Sequence, residues 1–316
     1  MTVLLLGATG FLGRRVARRL TEDQIAFVPV SHSLGTDLRD YRQFRRVFEM
    51  QGPFDVIMHA AAFVGGIQFG LAHEAEIYYN NALVNAHLFE LAREFGVKRI
   101  INPISNCSYP RDVYPEFREE LWWNGPLDDS VFVYGFVRKA SFVQSWAYRR
   151  QYGLQTMNLI VPNMYGPEDH FDEVRSHALG ALVMKIARAW QRNEGPVTIW
   201  GSGKPVREWL YVDDCVEAML RSTAIPCPEI PVNIGVGSGV SIRELAELIA
   251  KEIGYTGTFV YDTSRPDGAP HKVMNLEMCR KVFGWQPCTS LREGIARTVQ
   301  WYLEHRAAPE TGRRSR

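Results

Sequence analysis

The sequence predicts an α/β fold: a doubly wound parallel sheet with a smaller C-terminal lobe. Three observations carry that reading. Short β-rich runs alternate with helical patterns over the first 165 of 316 residues, as βαβ units require. Gly7, Gly10 and Gly13 follow directly on the first apolar run, in the strand–turn–helix setting of a Rossmann-type dinucleotide turn. After Tyr165-Gly166-Pro167 the alternation gives way to a polar loop and an apolar helix, where a second, interleaved lobe begins.

Taken in order, the predicted strands are Val3–Leu6, Ala26–Val30, Asp55–His59, Arg99–Pro103 and Gln155–Val161. Helices are expected near 11–20, 41–50, 73–95 and 135–152. In the third of these, Leu83, Leu88, Leu91 and Ala92 recur at helical spacing and read as a core-facing stripe. Beyond the loop 168–175 come a helix around His177–Trp190, a strand Val197–Trp200 and the turn Gly201-Ser202-Gly203. Val206–Val212 reads as a return to the main sheet, and Val232–Gly235 as a further short strand. Ser241–Ile253 has the clearest helix boundaries: Ser241 as cap, Glu244 completing a capping box, Gly254 as terminator. The sheet domain is assigned residues 1–165 plus roughly 205–237, and the lobe roughly 166–204 and 238–316.

Composition removes several function classes. Net charge is +1, from 36 basic and 35 acidic residues, so no broad nucleic-acid-binding face is expected. The basic end Arg313-Arg314-Ser315-Arg316 reads as a solvated tail. No apolar stretch reaches the ~18 residues of a membrane span. Five cysteines, odd in number and without metal-like spacing, point to a reduced, cytoplasmic compartment and to no metal site.

The chemistry concentrates in four separated segments. In the turn Gly7–Gly13, the glycines permit close backbone approach to a pyrophosphate. The helix starting at Phe11 and Leu12 offers unpaired N–H donors to it. The second strand ends in Val30-Ser31-His32-Ser33 with no carboxylate to hold a ribose 2′-hydroxyl. Arg14 or Arg15 could reach a 2′-phosphate there, which favours NADP over NAD. The pair Asp37-Leu38 is a candidate for the adenine edge. Tyr134 and Arg138 lie one helical turn apart and share a face. A tyrosine that delivers a proton to a carbonyl must have its pKa lowered from about 10, which a fixed cation promotes. Ser105, just past the fourth strand, is placed to bond the same carbonyl oxygen.

These residues resemble the extended short-chain dehydrogenase/reductase family, over roughly residues 2–305. The likeness runs through His59-Ala60-Ala61-Ala62, Val64-Gly65-Gly66-Ile67, Ser105-Asn106-Cys107-Ser108-Tyr109-Pro110 and Pro162-Asn163-Met164-Tyr165-Gly166-Pro167. It continues at Ser176-His177, Trp200-Gly201-Ser202-Gly203 with Arg207-Glu208, and Pro266-Asp267-Gly268. Within the family the chain is similar to the bifunctional 3,5-epimerase/4-reductases of GDP-4-keto-6-deoxysugars. That likeness implies reductase roles for Ser105 and Tyr134, and an epimerisation acid/base pair in Cys107 and His177. It further implies coenzyme contacts at His59, Ala60, Ala61, Val161, Pro162, Asn163 and Met164. Nucleotide-sugar contacts are implied at Asn163, Lys185, Trp200, Arg207 and Asp267, with a GDP-linked substrate favoured. A homodimer is implied, with the helices near 73–95 and 135–152 as candidate interface.

The chemistry of the pair stands on its own terms. Protons flanking a ketone are acidic because their removal gives an enolate, which Tyr134 and Ser105 could stabilise. Inversion takes a proton from one face and returns one on the other, and a cysteine and a histidine both titrate near working pH. Taken singly, Cys107 also fits a small core residue and His177 a helix-start packing residue. Trp200 offers either a flat face for a base or plain lobe packing, and Trp122-Trp123 read as loop packing.

One departure stands out. The family has Tyr-x-x-x-Lys where this chain has Tyr134-Gly135-Phe136-Val137-Arg138. Lys139 lies about 100° further round the helix and is expected to point elsewhere. Arg138 supplies charge but cannot join a proton relay, its pKa lying above ~12. Three readings follow: an NADPH-dependent epimerase/reductase, an epimerase without net reduction, and an NADP-binding regulatory protein without turnover.

Overall fold

The computed structural model describes residues 1–173 and 175–306; the basic tail lies outside the described residues. The first half runs β1 (Thr2–Leu6), α1 (Phe11–Glu22), β2 (Ala26–Val30), α2 (Tyr41–Gln51), β3 (Val56–His59), α3 (Ile67–Ala72) and α4 (Glu74–Glu94). It continues through β4 (Arg99–Ser105), α5 (Phe132–Tyr152) and β5 (Gln155–Val161). The second half comprises β6 (Asn163–Tyr165), α6 (Ala178–Arg192), β7 (Val197–Trp200), β8 (Val206–Arg207), β9 (Trp209–Tyr211), α7 (Val212–Arg221) and β10 (Val232–Asn233). It ends with β11 (Val240–Ser241), α8 (Ile242–Ile253), β12 (Phe259–Asp262), β13 (His271–Lys272), α9 (Glu277–Phe283) and α10 (Leu291–His305).

Six parallel strands form the main sheet in the order β10-β5-β4-β3-β1-β2. Both faces are covered, which is why the strands read as continuous apolar runs. Along β1, Val3 and Leu5 enter one core with α1 and α7. Leu4 and Leu6 enter the other with α2 and α4, the alternation a strand imposes. The expected stripe on α4 is present at Leu88, Leu91 and Ala92, all fully buried.

Chain order reverses between β1 and β3, so the crevice outside their carboxyl ends is the topological switch point. Register carries the candidate residues to that edge together. Leu6, just before the glycine turn, lies opposite His59, and Ser105 opposite Val161.

The second lobe has its own core, where α6, α8 and α10 pack with β7 and β9. Its α8 carries the expected capping box of Ser241 and Glu244, closed by left-handed Gly254. Val206–Val212 does not return to the main sheet. Instead β8 pairs with β11 and β13, and β9 pairs with β6. Glu208 explains the diversion: it is fully buried and accepts the backbone N–H groups of Val236, Gly237 and Met274. That ties the segment to the stretches after β10 and β13, and β10 takes the place beside β5.

Candidate active site

The glycine turn leaves room for nothing but backbone. Gly7 has φ +77°, and a Cβ there would meet Ala61 N at 2.6 Å. A Cβ on Gly13 would lie 1.9 Å from Gly7 O. The start of α1 has no side-chain cap, so its first N–H groups are free for an anion. Gly10, Phe11 and Leu12 form one wall of a cavity of about 330 Å³, and His59, Ala60 and Ala61 continue it. A dinucleotide fits this cradle.

After β2, the hydroxyls of Thr9, Ser31 and Ser33 form a triangle with sides of 3.0, 2.7 and 3.1 Å, and His32 is exposed beside them. Arg14 donates to Thr9 O at 2.8 Å and pairs with Glu168 at 3.0 Å. Arg15 does not reach this region: it is buried and bound bidentately by Asp213 at 2.7 and 2.6 Å. Its place on α1 turns it toward α7 rather than the ribose. Arg39 grips Asp37 and holds its carboxyl down at about 2, while Leu38 is buried in the core.

His59 closes the floor. Its Nε2 lies 3.2 Å from Asn85 Oδ1, and Nδ1 has no protein partner among the described residues. Burial, then the charge of Arg138, holds it near 3, so the ring is neutral.

The reactive groups come from three elements. At the end of β4, Ser105 Oγ accepts from Cys107 N at 3.2 Å, opening a short 3-10 turn over Asn106–Ser108. Ser108 Oγ donates to Ser105 O at 2.7 Å and receives Trp122 Nε1 at 2.8 Å. Trp122 is fully buried, so it packs the loop beneath the site as expected. Helix α5 then approaches very closely: a Cβ on Gly135 would lie 2.3 Å from Cys107 O. That contact brings Tyr134 into the same cavity as Ser105 and Cys107.

Arg138 is buried and donates from Nε to Tyr134 Oη at 3.3 Å. Lys139 points elsewhere, as helical geometry requires. It donates to Trp122 O and sits 4.5 Å over the Trp123 ring, with burial lowering it to about 8.

His177 stands at the start of α6 without capping it through its side chain, and lines the cavity, half-buried. Burial, reinforced by His170, holds it below the usual imidazole range, so the ring is available to accept a proton. The loop before it is pinned at both ends. A Cβ on Gly66 would meet Ser176 O at 2.8 Å, and one on Gly180 would meet His170 O at 2.5 Å. On the same loop Asp169 lines the cavity, its carboxyl pushed up to about 7 by burial.

Among the cavity residues that the sequence reading missed are Asp169, His170, Arg175 and Lys272. The first three stand in the polar loop ahead of His177, where two titratable residues in succession were a usable signal. Lys272 carried none, because its strand has two residues.

Of the expected sugar-nucleotide contacts, Asn163 and Arg207 line the cavity and Lys185, Trp200 and Asp267 do not. Trp200, 42 % exposed, lies between the Lys185 ammonium at 4.5 Å and the Arg265 guanidinium at 5.3 Å. Asp267 accepts from Ser202 N and Oγ, both at 2.7 Å, and its carbonyl accepts Arg207 Nη2 at 3.1 Å. These three thus build a ledge joined to the cavity through Arg207. Among the described residues no group of three His, Cys, Asp or Glu side chains is arranged to hold a metal. No described helix is long and apolar enough to cross a membrane.

Residues 3–235 match the model of the "NAD dependent epimerase/dehydratase family". The chain is 33% identical over 303 residues to a GDP-L-fucose synthase of Sinorhizobium fredii, covering 96% of each chain. It is 30% identical over 310 residues to a GDP-L-colitose synthase of Yersinia pseudotuberculosis, covering 97% of this chain and 99% of the other. Among solved structures, a GDP-L-fucose synthetase from Naegleria fowleri bound to NADP superposes with a TM-score of 0.86 at 27% identity. That match covers 97% of this chain and 95% of the other.

Proposed function

The chain belongs to the NAD dependent epimerase/dehydratase family, and from that premise we propose an NADPH-dependent 3,5-epimerase/4-reductase of a GDP-4-keto-6-deoxyhexose or a related GDP-ketosugar. One observation carries the reading. Ser105, Cys107, Tyr134, Arg138 and His177 share a single cavity with the glycine turn.

The residues act in two stages. With the sugar's 4-keto oxygen between Tyr134 and Ser105, a proton on a flanking carbon is drawn off by one member of the Cys107–His177 pair. The electron pair moves onto the keto oxygen, where the two hydroxyls stabilise it as an enolate. The other member returns a proton to the opposite face, and that carbon is inverted. Tyr134 then protonates the oxygen of the ketone as it is reduced, with the guanidinium of Arg138 at 3.3 Å countering the charge left on the phenol oxygen. Bound in the cradle, the dihydronicotinamide supplies the hydride.

Three features support NADPH over NADH: the absence of a carboxylate after β2, the hydroxyl triangle of Thr9, Ser31 and Ser33, and Arg14 beside it. A homodimer is supported by apolar side chains left exposed on two adjacent helices, Tyr78 and Tyr79 on α4 and Phe136, Val143 and Trp146 on α5. Light scattering is expected to give twice the chain mass of 36.0 kDa. The free thiols support a cytoplasmic setting.

The test is a screen of GDP-, dTDP-, CDP- and UDP-linked 4-ketosugars for NADPH consumption and solvent-proton exchange. Both activities with a GDP-ketosugar bear out the reading; neither with any of them overturns it. Arg138 favours one alternative, an epimerase without net reduction, because a guanidinium cannot relay a proton. Exchange without NADPH consumption would select it.

A further inference from the structure

On β13, Lys272 is 8 % exposed and faces the cavity. Its Nζ stands 3.7 Å from Cys107 Sγ, within hydrogen-bonding range for sulfur. Among the described residues no carboxylate lies within ion-pair distance of it. An ammonium removed from water needs an anion close by, and the sulfur is the group placed to be one. The arrangement is reinforced in register: Lys272 pairs with Arg207 across β13 and β8, and Arg207 lines the same cavity as Cys107.

We propose that Lys272 is the positioning residue of Cys107, its ammonium holding the sulfur as a thiolate aimed at the substrate carbon. This rests on the epimerase reading above. The step balances within the site. The thiolate takes the proton, the C–H bond breaks as S–H forms, and the bonding pair moves to the keto oxygen between Tyr134 and Ser105. Lys272 keeps its protons throughout and faces a neutral thiol afterwards. The pair is thereby divided: Cys107 starts as the charged acceptor beside a cation, and His177, a stronger acid once protonated because burial lowers it, takes a proton from solvent and returns it to the opposite face. Tyr134 and Arg138 on α5, His177 at the start of α6, Arg207 on β8, His59, Glu74, Asp169, His170 and Arg175 line the same cavity as the sulfur, and Asp128, Asp267 and His271 act on Arg207.

The experiment reads the sulfur without any sugar, so it stays informative even if no ketosugar is turned over. In a Cys288→Ser background, which removes the one exposed thiol, the rate of iodoacetamide alkylation of Cys107 is followed against pH by peptide mass spectrometry. Lys272→Gln and Lys272→Met are expected to slow alkylation near neutral pH by about tenfold or more. Lys272→Arg is expected to stay within about threefold of the parent, since it keeps a cation there. If Lys272→Met fails to fold, the contrast between Gln and Arg carries the test. Equal alkylation rates across the variants, with only a raised KM for the nucleotide sugar, would overturn the proposal and assign Lys272 to the substrate diphosphate instead.

Discussion

Arg138 donates its Nε to the hydroxyl of Tyr134 at 3.3 Å from a buried position. A guanidinium thus stands where the Tyr-x-x-x-Lys pattern would place an ammonium, and the neighbouring Lys139 is held away on Trp122. Charge beside the tyrosine is kept and proton relay is not. Tyr134→Phe is expected to lower NADPH oxidation by ~10²-fold or more, the range for losing a general acid. Arg138→Met should fall similarly, and Arg138→Lys should stay within about tenfold. Stopped-flow NADPH absorbance checks all three, and Arg138→Met at parental rate would remove Arg138 from the mechanism.

Gly135 sets the distance between α5 and the Cys107 turn. A methyl group there would stand 2.3 Å from Cys107 O, so Gly135→Ala must push the helix or the turn aside. The expected cost is roughly 1–3 kcal/mol of stability, and kcat should drop more than KM rises. Thermal melting and steady-state kinetics measure the two effects separately.

Asp169 makes stability depend on pH in an unusual direction. Burial raises its carboxyl from 3.8 to about 7 in the folded chain. The folded state therefore holds a proton that the unfolded chain releases between about pH 4 and pH 7. Its contribution is full below the lower value and is lost as pH rises through the upper one. Asp169→Asn should lose less Tm than the parent between pH 5 and pH 8, by a few °C, about the shift for a change of 1–2 kcal/mol. Parallel Tm curves would contradict this.

If the chain uses NADPH as proposed, three hydroxyls are expected to set that preference. A carboxylate at Ser33, 2.7 Å from Thr9 Oγ1, would repel a 2′-phosphate and attract a ribose hydroxyl. Ser33→Asp should shift the NADPH/NADH ratio of kcat/KM toward NADH by about tenfold or more. An unchanged ratio would place the phosphate elsewhere.

What the sequence made legible divides along physical lines. The inner strands of the sheet were readable because they are buried on both faces and bounded by turn residues, and Gln155–Val161 matches residue for residue. His59 and Ser105 could be picked out as candidates because they stand at strand ends, where register sends them to one edge. The fate of Val206–Val212 was not, because the buried carboxyl of Glu208 decides it through backbone groups far along the chain. Arg15 was misplaced for a similar reason: its partner Asp213 lies 198 positions away. Lys272 escaped notice because a two-residue strand has no periodicity to read.

The central claim is that Cys107 and His177 work on one sugar from a shared cavity. The most direct measurement is deuterium uptake by the GDP-4-keto-6-deoxyhexose in heavy water without NADPH, located by NMR. Incorporation at both carbons flanking the ketone is expected, retained in Tyr134→Phe at reduced rate and lost by about 10²-fold or more in Cys107→Ser and His177→Gln. Reduction of the ketosugar with no deuterium at either carbon, or full exchange in both variants, would contradict the account.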